Sequence, residues 1–271
     1  MDILSYKVAL IIYLLSTVGY ITSLLTRRVL VARVSTWFLV LAFTIHTVSL
    51  IFRSIKTGHS PVIGFPETLS FFAWVMTATY LALQWKTETR VLGAFVSPLV
   101  FLIVICASIR LGGDVSLPAI LQGGLVPLHV ILSVTGEALF VLAFCAGVMY
   151  LTQESFIKNR KVKSFSRLLP SLRDLDKINH LCLLWGFPLL TMGILVGAIW
   201  ARTVWGSHWQ WDPKQVWTLL AWLSYAILLH QRLALGWKGQ KPALLSICAF
   251  SFLLASFVIV GLFFTTVHSF I

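Results

Sequence analysis

Eight apolar runs, each close to membrane-spanning length and parted by short polar joints, leave this chain few folds. They lie at 3–25, 36–53, 67–85, 91–110, 125–151, 178–203, 215–235 and 243–264. A hydrocarbon core needs about 20 apolar residues per helix. The chain is 58% hydrophobic and only 11% charged, far from the composition of a soluble globular domain. The expectation is an all-α integral membrane protein. It would be a bundle of about eight transmembrane helices in a single polytopic domain over 1–271.

Net charge is +12, and its distribution matters more than its size. If the 26–35 joint is cytoplasmic, Arg27, Arg28, Arg33, Lys86 and Arg90 share a side with the basic segment 152–177 and with Arg232, Lys238 and Lys241. Fifteen of the 21 Lys and Arg residues then fall on that side. Lys7, Arg53, Lys56, Arg110, Arg202 and Lys214 fall on the other. This is the positive-inside bias, which accounts for the charge without any nucleic-acid partner. It places both termini outside the cytoplasm. The first run is too long, and its charges come too late, for a cleaved signal peptide. Segment 152–177 is the longest non-membrane piece and is expected to touch anionic headgroups or a cytoplasmic partner.

One joint is unlike the rest. Between the sixth and seventh runs stands Trp205-Gly206-Ser207-His208-Trp209-Gln210-Trp211-Asp212-Pro213-Lys214-Gln215-Val216-Trp217. Tryptophan favours the membrane interface, so an aromatic belt is one reading. A Gly…Asp-Pro frame holding flat rings together is the other: a wall for a large planar ligand.

The histidines set the remaining chemistry. His46 lies mid-run and needs a partner there, either a neighbouring helix or a metal. His129 starts the fifth run, with Ser133 and Glu137 on the same helical face; Glu137 lies about 12 Å deeper by helical rise. Glu137 is protonated, paired or functional. Glu67 suits a helix N-terminus. His180 is expected at the interface, His230 near the inner end of the seventh run, and His268 back at the outer face. Cys106, Cys145, Cys182 and Cys248 all fall inside runs, without a CxxC, and are expected to pack as small apolar residues. No nucleotide-binding motif and no internal repeat is present.

The pattern Trp205-Gly206-x-x-Trp209-x-Trp211-Asp212-Pro213-Lys214-x-x-Trp217 resembles the tryptophan-rich WWD signature of haem-handling proteins. Those are the CcsA/ResC, CcmC and CcmF proteins of cytochrome c maturation and the related HemX proteins. His46-Thr47-x-x-Leu50-x-x-Arg53, with Gly58-His59-x-Pro61 and Glu67, also resembles the CcsA/HemX pattern. Gln215 departs from the Glu usual in CcsA-type proteins, and His208 fills a variable slot. The resemblance implies haem b as cofactor, with His129 and His268 as axial ligands of the iron. Trp205, Trp209, Trp211, Asp212 and Trp217 would frame the ring within the loop 204–217. Outer cations would meet the propionates. His46 and His230 would be candidates for a second, intramembrane site.

It further implies a chain of the bacterial cytoplasmic (inner) membrane that presents haem for covalent attachment to apocytochrome c. A CcsB/ResB-type membrane protein would be its partner in a haem lyase, and the chain itself supplies no evident catalytic acid, base or nucleophile. A HemX-like regulator acting on glutamyl-tRNA reductase is the alternative.

Overall fold

The computed structural model describes residues 2–62, 64–87, 89–109, 123–159 and 169–264. Among these the chain forms eight α-helices: α1 (Asp2–Thr26), α2 (Val29–Thr57), α3 (Phe65–Thr87), α4 (Gly93–Ser108), α5 (Leu125–Lys158), α6 (Leu172–Trp205), α7 (Pro213–Leu233) and α8 (Gln240–Phe263). Each expected run has its helix. Six of the eight, all but α3 and α7, are long and apolar enough to cross a membrane. The shortfall is compositional: α3 carries Glu67, Thr77, Thr79 and Gln84, and α7 carries Trp217, Trp222, Tyr225, His230 and Gln231.

Several helices overrun the apolar segments that seeded them. α5 and α6 are each 34 residues long. At about 1.5 Å per residue such a helix spans roughly 51 Å, against a hydrocarbon thickness of about 30 Å. Both therefore project beyond any bilayer core, and the expected 152–177 segment shrinks to the link between Lys158 and Leu172. Arg160, Lys161, Lys163 and Arg167 lie outside the described residues.

α1–α4 form one compact unit. α1 buries Tyr6, Ala9, Tyr13, Ser16 and Tyr20, a stripe at three- and four-residue spacing, and exposes Leu4, Ile11, Leu15, Val18 and Leu25. The stripe is more polar than the exposed face, as suits a helix surrounded by lipid. Each tyrosine hydroxyl finds a partner: Tyr6 donates to the Val104 carbonyl (2.9 Å), Tyr13 meets His46 Nδ1 (3.2 Å), and Tyr20 meets Thr36 (2.9 Å) and donates to Gln84 (3.2 Å). Satisfying such groups inside the unit is what the absence of water demands.

α5–α8 form the second unit. Its spine is the α5–α6 pair, brought close by glycines. A Cβ on Gly136 would meet the Gly186 carbonyl at 2.8 Å, and one on Gly197 would meet the His129 ring at 2.7 Å. Gly193 faces Ser133 equally tightly. Gly193 and Gly197 are the small-xxx-small spacing that lets membrane helices approach. Asn179 then ties three helices, donating to the Ala143 carbonyl and to Ser246, both at 2.8 Å. At the same end Arg232 donates to Asp176 (3.0 Å), Asn179 (3.1 Å) and His180 (3.2 Å), fixing the α7–α8 turn against the start of α6. His180 is therefore part of a structural clasp.

Candidate functional site

The tryptophan loop is built by the ends of two helices. α6 stops at Gly206, whose φ of 73° gives a left-handed cap with its N–H on the Arg202 carbonyl (3.0 Å). α7 starts at Asp212, which accepts from the Lys214 N–H (2.9 Å), with Pro213 at the first helical position. Asp212, only 5% exposed, thus acts as helix cap and loop anchor. The loop is closed by a reciprocal pair: Gln215 accepts from the Gln210 N–H and donates to its Oε1, both at 2.9 Å. Glutamate at 215 could accept but not donate, so Gln215 matches its local partner.

This frame holds Trp211 in an unusual state. Its φ is +57°, the left-handed region that bulky residues rarely occupy, and its ring is 78% exposed. A left-handed non-glycine residue costs about 1–2 kcal/mol, and burial of its own side chain does not offset that here. Trp209 packs edge-on against Trp211, with centroids 5.7 Å apart, and its buried Nε1 has no acceptor among the described residues. Trp205 packs edge-on against Trp200 at 5.1 Å. Trp217 turns onto Phe252 of α8 at 5.4 Å. Trp209 and Trp211 are therefore one pair, while Trp217 serves helix packing.

His129 stands on α5 against Gly197, half-buried. Its Nδ1 is 2.7 Å from the Gly193 carbonyl. A carbonyl only accepts, so Nδ1 carries the proton and Nε2 holds the lone pair. A histidine tied in this way is oriented as a metal ligand through Nε2. The tryptophan loop comes to the same level of α6: His208 donates from Nδ1 to the Ala198 carbonyl (3.1 Å), one residue from Gly197. Its Nε2 faces Arg202 at 3.4 Å, so both His208 nitrogens are engaged. Lys214 lies in electrostatic reach of His129, Glu137 and Asp212. Of the cations weighed for the propionates, Arg53 is paired to Glu67 (2.9 Å) in the first unit, and Arg110 lies outside the described residues.

His46 is different. It is fully buried, with Nδ1 3.2 Å from the Tyr13 hydroxyl and Nε2 2.9 Å from Ser70. Both ring nitrogens are spoken for by neighbouring helices. His230 is exposed on α7 and belongs to the second unit, whereas His46 belongs to the first. His268 lies outside the described residues. Nor does any group of three or more His, Cys, Asp or Glu side chains able to hold a bare metal ion occur among the described residues. Haem iron makes a smaller demand, one or two axial donors, and a tethered His129 with its Nε2 unprotonated fits it.

Two features here escape a reading of the sequence. The glycine pair at 193 and 197 is the support of His129, and its spacing was a visible signal. The Gln210–Gln215 pairing gave no signal until the loop was seen closed.

An all-helical bundle with this loop defines a multi-pass membrane protein of the cytochrome c assembly type. The chain belongs to the family described as "Cytochrome C assembly protein", whose model matches residues 62–268. Its relatives include the cytochrome c biogenesis protein CcsA of Prochlorococcus marinus, 31% identical over 82% of this chain and 79% of the relative. The CcsA of Chlorella vulgaris is 32% identical over 76% of this chain and 75% of its own. Among solved structures, the cytochrome c haem lyase CcmF superposes with a TM-score of 0.66 at 16% identity, covering 96% of this chain. That likeness concerns the fold, and this chain spans 47% of the CcmF chain.

Proposed function

We propose that this chain binds haem b at the tryptophan-loop end of its second unit and presents it for covalent attachment to apocytochrome c. The carrying observation is the His129–Gly193 bond, which leaves Nε2 as the unprotonated nitrogen, in the same unit whose tryptophan loop holds an exposed, left-handed Trp211. Haem, when bound, supplies the vinyl groups to which the thiols of an apocytochrome add. His129 and His268 would hold the iron. Trp209 and Trp211 bear on the ring and exclude water, with Trp205 and Asp212 shaping the loop. Lys214 is the cation nearest in chemistry for a propionate, with Glu137 as its counter-charge. The chain's part is orientation and water exclusion, effects that lower a barrier without a protein acid or base.

In this reading all eight helices span, the basic loops face the cytoplasm, and both termini lie outside with the tryptophan loop. A CcsB/ResB-type membrane protein completes the lyase, in the cytoplasmic membrane of a bacterium. A HemX-like regulator of glutamyl-tRNA reductase is not favoured, since the relatives above carry the CcsA description. His230 remains a candidate for a second, intramembrane position. His46 could serve as a ligand only by releasing Ser70 or Tyr13.

An absorption spectrum of the detergent-purified chain, oxidised and then reduced, tests the proposal. A six-coordinate bis-histidine haem with a b-type pyridine haemochrome is expected. Protein purified from haem-replete cells without any haem would defeat it.

A further inference from the structure

The first unit holds a cavity of about 300 Å³ that the haem reading does not use. It opens at the end of the unit where α1 and α3 begin and α2 and α4 finish. Its walls mix apolar and polar groups: Ile3 and Leu50 beside Lys7, Arg53, Glu67 and Ser70. Glu67 is 6% exposed. Its Oε1 accepts from Arg53 Nε at 2.9 Å. Its Oε2 is buried and has no hydrogen-bond donor among the described residues. His59 Nδ1 is 3.9 Å from Oε2, beyond hydrogen-bond distance, and is turned to the Ser60 carbonyl at 3.0 Å. A buried carboxylate oxygen without a donor is expensive, so the chemistry the cavity calls for is an N–H or O–H group aimed at Glu67.

The second requirement comes from the rim. Arg53 and Glu67 neutralise each other, which leaves Lys7 as the surplus charge on the wall, exposed at the mouth. A fitting ligand therefore carries a donor cation for Glu67 and an anion for Lys7, a short distance apart. The apolar wall of Ile3 and Leu50 would follow a hydrocarbon stem. The cavity lies at helix ends, the level of the lipid headgroups. We propose that it is a site for a phosphoethanolamine group, carried by a phospholipid whose primary ammonium donates to Glu67 Oε2 and whose phosphate meets Lys7. A trimethylated choline headgroup has the same charges but no N–H to give, and a glycerol headgroup has hydroxyl donors without the cation.

The test is native mass spectrometry of the full chain released from nanodiscs of mixed lipid. Wild type is expected to retain phosphatidylethanolamine over phosphatidylcholine by about tenfold, the value of one hydrogen bond to a charged group. Glu67→Gln should abolish that preference. Lys7→Ala, at an exposed position that does not threaten folding, should lower retention of both phosphatidylethanolamine and phosphatidylglycerol several-fold. Equal retention of ethanolamine and choline lipids by wild type would overturn the proposal. So would a preference that survives Glu67→Gln, or, if that variant fails to fold, lipid retention unmoved by Lys7→Ala. Displacement of the lipid by equimolar soluble O-phosphoethanolamine would refute the lipid as source.

Discussion

Two histidines, one in each unit, are held in opposite ways. His46, in the first unit, gives one nitrogen to Tyr13 and the other to Ser70 and has no surface. His129, in the second, gives a single nitrogen to a backbone carbonyl and keeps the other. In a membrane a polar ring must be satisfied from within, so full satisfaction marks a structural role. A ring tied on one side only is a ring prepared for something else. The contrast teaches that a histidine's position within a span says less about ligation than the number of nitrogens its neighbours leave over.

The largest expected effect is on the structural side of this contrast. Replacing His46 by Ala takes the ring partner from the Ser70 hydroxyl and leaves Tyr13 with only Thr77 at 3.4 Å, and a buried polar group that loses its partner costs about 1–3 kcal/mol. Thermal unfolding should show a loss on the order of 3 kcal/mol, with the haem-to-protein ratio of surviving protein unchanged. Loss of haem at preserved stability would make His46 a ligand and break the comparison.

Next is the support of His129. Gly197→Val drives a branched side chain into the imidazole, and overpacking of this kind costs about 1–3 kcal/mol. Haem content should fall with stability, and Gly197→Ala should fall between valine and wild type. Trp211→Gly separates the two properties in the opposite sense. It relieves a left-handed backbone and should raise the unfolding midpoint slightly, by up to about 1 kcal/mol, while haem retention weakens by about 1–3 kcal/mol, the share of an aromatic contact. A variant that gains neither stability nor loses haem would make the exposed ring an interfacial anchor.

The smallest effect sharpens the loop itself. Gln215→Glu removes the donor to Gln210 Oε1 and sets two acceptors against each other. Roughly 1 kcal/mol of stability should go, and Gln210→Lys in the same chain should restore it, read as a paired change in unfolding midpoint.

How far the sequence disclosed this depended on range. The helices were legible because each apolar run is long, and the tryptophan loop because its residues are rare. Helix ends were not: α5 and α6 continue past their apolar segments through residues that are helix formers without being hydrophobic, such as Gln153, Glu154, Arg173 and Lys177. Partners distant in sequence were also hidden. Ser70 sits 24 positions from His46, and Gly193 sits 64 positions from His129. Which nitrogen a histidine keeps is set by those distant groups, so the residues alone named His129 and His46 as candidates, and only the family resemblance put His129 ahead.

The haem-to-protein ratio of purified His129→Gly, by pyridine haemochrome, with and without imidazole during purification, tests this ranking most directly. The account predicts at least a tenfold loss of haem at near wild-type stability, and substantial recovery with imidazole, which fits the space the ring leaves beside Gly197. Wild-type haem content in His129→Gly, with an unchanged low-spin spectrum, would contradict it.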